Sequence, residues 1–154
     1  MKIGIIVYSQ TGHTLSVAQK LKEKLLSAGH SASLEQVVSA SEKPAVKGKA
    51  ELKSIPDISE YDTLVFASPV QAFSLSSVMS AYLTQIPSLK GKKVACFVTQ
   101  QLPRPWMGGN RAIAQMKAIC KAKGIEVCET GIVNWGNKQR EQMIEDVVKR
   151  FAAL

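Results

Sequence analysis

Several things are missing from this chain, and each absence removes a class of protein. Among its 154 residues no apolar run approaches the roughly 20 needed to cross a bilayer as a helix. The first residues turn apolar at once and pass into glycine and hydroxyls. They carry no small-residue cleavage site, so no secretion signal is read and a cytoplasmic location is expected. Cysteine is scarce: Cys96, Cys120 and Cys128 form no CxxC pair and no metal-ligand spacing. An odd number without a framework fits a reducing compartment, with each thiol acting as a small apolar side chain in a strand or helix pattern. The two histidines, His13 and His30, lie far apart without HxxxH or HExxH, so no metal site is expected. No triad, paired carboxylates or activated cysteine is visible either. The net charge of +8 raises nucleic acid as a partner, but the lysines are scattered and no basic run is interleaved with aromatics. Nucleic-acid binding is therefore not expected.

What is present organises itself around the stretch Lys2 to Thr14. Ile3, Ile5, Ile6, Val7 and Tyr8 make a nearly continuous apolar run, as a strand buried on both faces requires. Ser9-Gln10-Thr11-Gly12-His13-Thr14 follows, a hydroxyl-rich turn opening a helical pattern. A strand, a polar turn and a helix start put free backbone N–H groups and the positive end of a helix dipole at one point. That equipment holds a phosphate, though on local grounds a plain turn capped by Ser and Thr fits equally well.

The following residues repeat an alternation of helix and strand. Leu15, Val17, Ala18, Leu21, Leu25 and Leu26 recur at helical spacing up to Gly29, and Ala32 to Val38 reads as a short edge strand. Ser39 to Tyr61 is punctuated by Pro44, Gly48 and Pro56. It reads as a surface crossover, with a short helix over Val46 to Ser54 as the alternative. Thr63 to Ala67 is a buried strand, Ser68 to Phe73 a turn, and Leu75, Val78, Met79, Tyr82, Leu83 and Ile86 the stripe of a packed helix. Val94 to Val98 is the next strand, and Thr99-Gln100-Gln101 leads into the Pro/Gly-rich loop 102–109. A helix carrying Ala112, Ile113, Met116, Ile119 and Cys120 follows. Ile125 to Val133 gives a last strand, and Met143, Ile144, Val147, Val148 and Phe151 mark a terminal helix.

Such alternation, with no internal repeat, implies one domain over 1–154 with parallel strands and helices on both faces. In open sheets of this kind ligands bind beyond the carboxyl ends of the strands. Three loops leave those ends after strands one, three and four: Ser9–Thr14, Ser68–Phe73 and Thr99–Gly109. They are also the most unusual loops in composition, which moves the reading from a capped turn to a ligand site.

Ser9-Gln10-Thr11-Gly12-His13-Thr14 resembles the (S/T)-x-T-G-x-T loop of the flavodoxin family, and Tyr61 to Val70 (YDTLVFASPV) resembles that family's third strand and following loop. The resemblance runs over almost the whole chain. It implies a three-layer α/β/α sandwich with a five-stranded parallel sheet in the order 2-1-3-4-5, binding flavin mononucleotide (FMN) between strands one and three. By that resemblance the hydroxyls of Ser9, Thr11 and Thr14 and the backbone N–H groups of Gln10, Gly12 and His13 hold the phosphate, with the His13 imidazole facing solvent. The loops Ser68, Pro69, Val70, Gln71, Ala72, Phe73 and Thr99, Gln100, Gln101, Arg104, Trp106, Gly108 hold the ring. Phe73 and Trp106 are stacking candidates, with a helix-start core residue and a loop-packing residue as the respective alternatives. Asn134-Trp135-Gly136 is read as structural.

Charge adds something the motifs do not. The twelve acidic residues avoid Met1 to Lys22 and Thr63 to Ile125 entirely, and all three loops fall inside those stretches. Many electron-carrying flavodoxins ring the flavin with carboxylates; this chain instead puts Arg104 in the third loop and Arg111 after it. A less negative potential for the reduced flavin is therefore expected, since a nearby cation favours its anion. The same charge suits an acidic redox partner or the phosphates of a nicotinamide nucleotide. Three functions stay open: an FMN electron carrier, an FMN-dependent NAD(P)H oxidoreductase acting on quinones or similar acceptors, and a regulatory protein that kept the fold without tight flavin binding.

Overall fold

The apolar run after Lys2 becomes the centre of a sheet. The computed structural model describes residues 2–41 and 50–154. Its first strand, β1 (Lys2–Val7), pairs in parallel with β2 (Ser31–Gln36) on one side and β5 (Thr63–Gln71) on the other. β7 (Lys93–Gln100) follows β5, and β8 (Glu129–Asn134) closes the far edge. The order β2-β1-β5-β7-β8 is, over the five long parallel strands, the expected 2-1-3-4-5.

Successive strand residues face opposite ways, and the chain uses both sides. Ile3, Ile5, Val7, Val65, Ala67, Ala95 and Phe97 pack under α1 (His13–Ser27) and α4 (Arg140–Ala152). Ile6, Leu64, Phe66, Val94, Cys96 and Val98 pack under α2 (Ser77–Gln85) and α3 (Gly109–Ala122). Burying each of the larger aliphatic and aromatic side chains stabilises the fold by roughly 1.5–3 kcal/mol, so each helix is fixed by the one-sided stripe read from its sequence. At Gly4, in the middle of β1, an added Cβ would sit 2.5 Å from the buried Tyr61 ring.

Four boundaries differ from the sequence reading. The segment Ser68–Phe73 is not a plain turn: β5 runs on to Gln71 and folds back through Ala72-Phe73 into β6 (Ser74–Leu75), which pairs with it antiparallel. Leu75 therefore belongs to β6 and not to the helical stripe, and α2 begins at Ser77, capped by the Ser76 hydroxyl accepting from the Met79 N–H. The final strand starts at Glu129; residues 125–128 precede it, leaving Cys128 exposed, while Cys96 and Cys120 are buried as expected. Finally, Val38–Ser39 (β3) pairs antiparallel with Leu52–Ser54 (β4) in a separate two-stranded sheet. A helix cannot include those last three residues, residues 50 and 51 are not helical either, and the rest of the alternative helix, 46–49, lies outside the described residues. The composition signal failed here because these pairings are long-range, made by residues with weak local preference.

Candidate functional site

The three loops meet at the carboxyl rim. The first turns into α1 through Gly12, whose φ of 90° lies in the left-handed region open to glycine. No side chain caps the helix in the usual way. Instead the Ser9 hydroxyl oxygen accepts from the Leu15 N–H at 3.3 Å and from the Gly12 N–H at 3.1 Å. The N–H groups of His13 and Thr14 keep no partner within the helix, and no acidic residue stands in its first turn to compete for an anion. Ser9 retains its hydroxyl proton for donation, and Thr11 is exposed beside it. Thr14 is buried, with its hydroxyl 2.7 Å from that of Thr99, so it joins the first loop to the end of β7.

The second loop is the β5–β6 hairpin. Its two tip residues, Ala72 and Phe73, have φ of 49° and 61°, a conformation that side-chain-bearing residues adopt only at a cost of order 1–3 kcal/mol. Asn-Gly is the usual pair at such a tip. Here the strained place holds a phenylalanine that is 59% exposed. It is not a helix-start core residue. Behind it, Ser68 is fully buried, its hydroxyl donating to the Pro69 carbonyl and lying 2.8 Å from that of Ser76. Gln71 reaches across to the first loop, donating from Nε2 to Gln10 Oε1 at 2.5 Å. Burial pushes the Tyr8 phenol pKa up, and a hydrogen bond with the same Gln71 partly offsets it.

The third loop is held from below and touches the second from the side. Gln100 is buried; its Nε2 donates to the Arg104 carbonyl and to Asn134 Oδ1, while its Oε1 has no partner. Its side chain is therefore an internal brace rather than a contact to a ring edge, and Thr99 is likewise turned inward. Gln101 is exposed, and its carbonyl accepts from the Gly136 N–H at 3.0 Å. Met107 N–H donates to the Arg104 carbonyl, closing the loop. At Gly108, φ is 116°, and a Cβ would stand 2.7 Å from Phe73 Cα and 2.9 Å from Val70 Cγ1. Only glycine allows this approach, and through it Val70 and the hairpin tip lie against the third loop, while Pro69 pairs in register with Thr99. Trp106, 71% exposed, is not used for loop packing. Arg104 is exposed and joins no ion pair among the described residues.

One expectation is overturned. The His13 imidazole is half-buried rather than free in solvent: one face stacks on the Trp135 indole with centroids 3.9 Å apart and planes 8° from parallel. Arg140 covers that indole at 4.9 Å and donates from Nη1 to the Trp135 carbonyl at 3.1 Å. Trp135, set aside as structural, thus braces the start of α1 from the neighbouring loop. Its place after the last strand, on the same rim as the other three loops, was the signal available in sequence.

Arrangement and chemistry agree. Neutral donors converge in the first loop, the second and third loops each expose one aromatic ring, and Arg104 stands in the third without a carboxylate in any of the three. No group of three or more His, Cys, Asp or Glu among the described residues is disposed to hold a metal ion, and no described helix is long and apolar enough to cross a membrane.

Comparison with solved structures gives the fold independently. The two-electron-reduced flavodoxin of Megasphaera elsdenii is similar at a TM-score of 0.71 and 19% identity, over 99% of both chains. Oxidised flavodoxin 2 of Bacillus cereus is similar at 0.70 and 19%, again over 99% of both. A Lactobacillus acidophilus flavoprotein in complex with FMN matches at 0.64 and 17%, covering 85% of this chain and 92% of its own. No family model and no curated protein matches the sequence. The chain has the flavodoxin-like fold.

Proposed function

We propose that this chain, on its flavodoxin-like fold, binds FMN non-covalently and carries electrons between larger redox proteins. The observation that supports it most is the conjunction on one rim of an anion-ready helix start with two exposed aromatics. Ser9, Thr11 and the N–H groups of Gln10, His13 and Thr14 are suited to a phosphate. Gly12's N–H and Thr14's hydroxyl join them only by sharing their bonds to Ser9 and Thr99. Phe73 and Trp106 are suited to the faces of a planar ring, with Gln71, Ala72, Gln101 and Arg104 at its margins.

When bound, FMN supplies one- and two-electron redox chemistry that no side chain can. The chain's own part is binding, orientation and electrostatics. The Gly108 contact sets the spacing of the two aromatic loops, the Gln10–Gln71 bond ties the phosphate end to the ring end, and His13 on Trp135 fixes where α1 begins. The three acid-free loops with Arg104 add a positive field, which raises the flavin potential relative to a carboxylate-ringed site.

The test is direct. Purified protein should be yellow, or become so with added FMN, and anaerobic NADPH should leave the colour unchanged for many minutes. Rapid bleaching by NADPH would favour the oxidoreductase reading. A colourless preparation that ignores added FMN would sink both and favour a regulatory role.

A further inference from the structure

We propose that the rim beside the third loop is a docking surface for an acidic redox protein, whose carboxylates seat in the groove between Arg104 and Lys138. This rests on the electron-carrier reading and adds the chemistry of the partner.

The groove has a volume of about 490 Å³ and runs between residues 103–104 and 136–139. In the loops and first helical turns that leave β7 and β8 stand Arg104, Arg111, Lys138 and Arg140, with Glu141 as the one carboxylate. Glu141 lies 3.7 Å from Arg140 and 3.7 Å from Lys20, so it is already shared. Arg104, Arg111 and Lys138 form no ion pair among the described residues. In the same loops Leu102 is 40% exposed, and Phe73 and Trp106, whose inner faces would meet the flavin in the reading above, are 59 and 71% exposed. An apolar centre with a charged margin is the anatomy of a docking site.

The opposite end of the sheet is a useful contrast. Lys90, Lys92, Lys93, Lys117, Lys121 and Lys123 stand there, but so do Asp57, Glu60, Asp62 and Glu126. Lys92 and Lys123 are moreover turned onto backbone carbonyls of Ile58, Tyr61 and Thr84. What distinguishes the rim is the scarcity of acids: of the groups named, four cations stand there with one already shared carboxylate, whereas six cations stand with four carboxylates at the opposite end. The rim's cations come from two loops and from the first turns of α3 and α4, instead of converging with backbone N–H groups on one point. That spread suits an extended acidic face better than a single phosphate.

The test uses poly-L-glutamate as the acidic probe, titrated into FMN-loaded, ¹⁵N-labelled protein. The Trp106 indole resonance and the amides of Leu102 to Trp106 and Lys138 should shift, with apparent affinity falling about tenfold from low to physiological salt. The double variant Arg111→Glu, Lys138→Glu should weaken binding by about tenfold, while Lys117→Glu, Lys121→Glu should change it by less than about twofold. Shifts that map to the opposite end, or equal losses in both variants, overturn the proposal. So does NADPH shifting the same resonances at lower concentration than poly-glutamate, which would make the groove a dinucleotide site. Failure to hold FMN refutes the carrier reading separately, and the same titration on flavin-free protein still decides the docking surface.

Discussion

The hairpin tip separates stability from binding, and two substitutions there make that measurable. Ala72 and Phe73 both sit at positive φ, at 49° and 61°. Holding an L-residue in that region costs roughly 1–2 kcal/mol. Glycine removes the cost but loses more freedom on folding, about 0.5–1 kcal/mol. Ala72→Gly, which gives up only an exposed methyl, should therefore raise stability by about 0.5–1 kcal/mol. In a domain of this size that is a rise in melting temperature of roughly 1–4 °C. Phe73→Gly gains the same relief and loses the part of the ring that is covered, since the residue is 59% exposed. Roughly 70 Å² at about 25 cal/mol per Å² is about 1.8 kcal/mol at most, so after the backbone relief the stability change should stay within about 1 kcal/mol of zero. Binding should behave differently. Loss of an aromatic face against a planar ligand is worth about 1–2 kcal/mol, so FMN affinity should fall about tenfold in Phe73→Gly and hardly move in Ala72→Gly. Urea unfolding of the flavin-free protein and flavin fluorescence quenching give the two numbers. If Phe73→Gly destabilises by the 3–5 kcal/mol typical of deleting a core aromatic, or leaves FMN affinity intact, the ring is structural and the reasoning fails.

Other consequences can be checked with the same preparations. Ser9→Ala removes the acceptor for the Gly12 and Leu15 N–H groups together with a donor to phosphate; it should cost about 1 kcal/mol of stability and about tenfold in FMN affinity, with riboflavin, which lacks the phosphate, bound as well as before. Arg104→Glu should lower the midpoint potential of the bound flavin by an amount on the order of tens of millivolts, measured by anaerobic spectroelectrochemistry; no downward shift would show that the local charge does not set it. Gly4→Ala forces a methyl to within 2.5 Å of the Tyr61 ring and should destabilise by about 1–3 kcal/mol in urea unfolding. The Tyr61 phenol, which donates to Glu35 Oε2, is pushed up to about 12, first by burial and then by that hydrogen bond. The folded state therefore holds this proton more tightly than the unfolded chain. Its contribution is complete below the ordinary tyrosine value near 10 and is lost as pH rises toward 12. Tyr61→Phe should flatten the loss of stability over that window.

Much of this molecule was open to reading before any coordinates. Periodicity placed β1, β7 and all four helices because each buries a stripe or a face, and burial leaves its spacing in the sequence. The alternation of strand and helix carried the parallel topology, and with it the rim on which the three loops had to meet. The glycine of Ser9–Thr14 and the absence of acids from those loops were likewise plain. The β3–β4 pair, the extension of β5 into a hairpin and the late start of β8 were not legible: β3 and β4 hold only by pairing across an intervening segment, the Ala72-Phe73 tip lacks the usual Asn-Gly signal, and the start of β8 is set by its pairing with β7.

The same division runs through the site. Residue type alone told which loops carried hydroxyls, aromatics and arginines. Whether Thr14, Ser68, Thr99 and Gln100 point outward or brace the rim from within depends on the direction of each Cβ in the folded chain. Gly108 shows the limit most clearly. In sequence it is one glycine among ten, but in space it is the one place where the Phe73 backbone comes close enough that a single methyl would force the two aromatic loops apart. His13 is the converse case, a side chain whose position was fixed by Trp135, a residue 122 positions away. Composition and periodicity determined the alternation of strands and helices and the identity of the loops, because both follow from burial along one element at a time; the strand order was implied only by the family resemblance, and the sheet pairing agrees with it. Which atoms face a ligand was decided only by contacts between elements, and these exist only once the sheet has brought its carboxyl ends together.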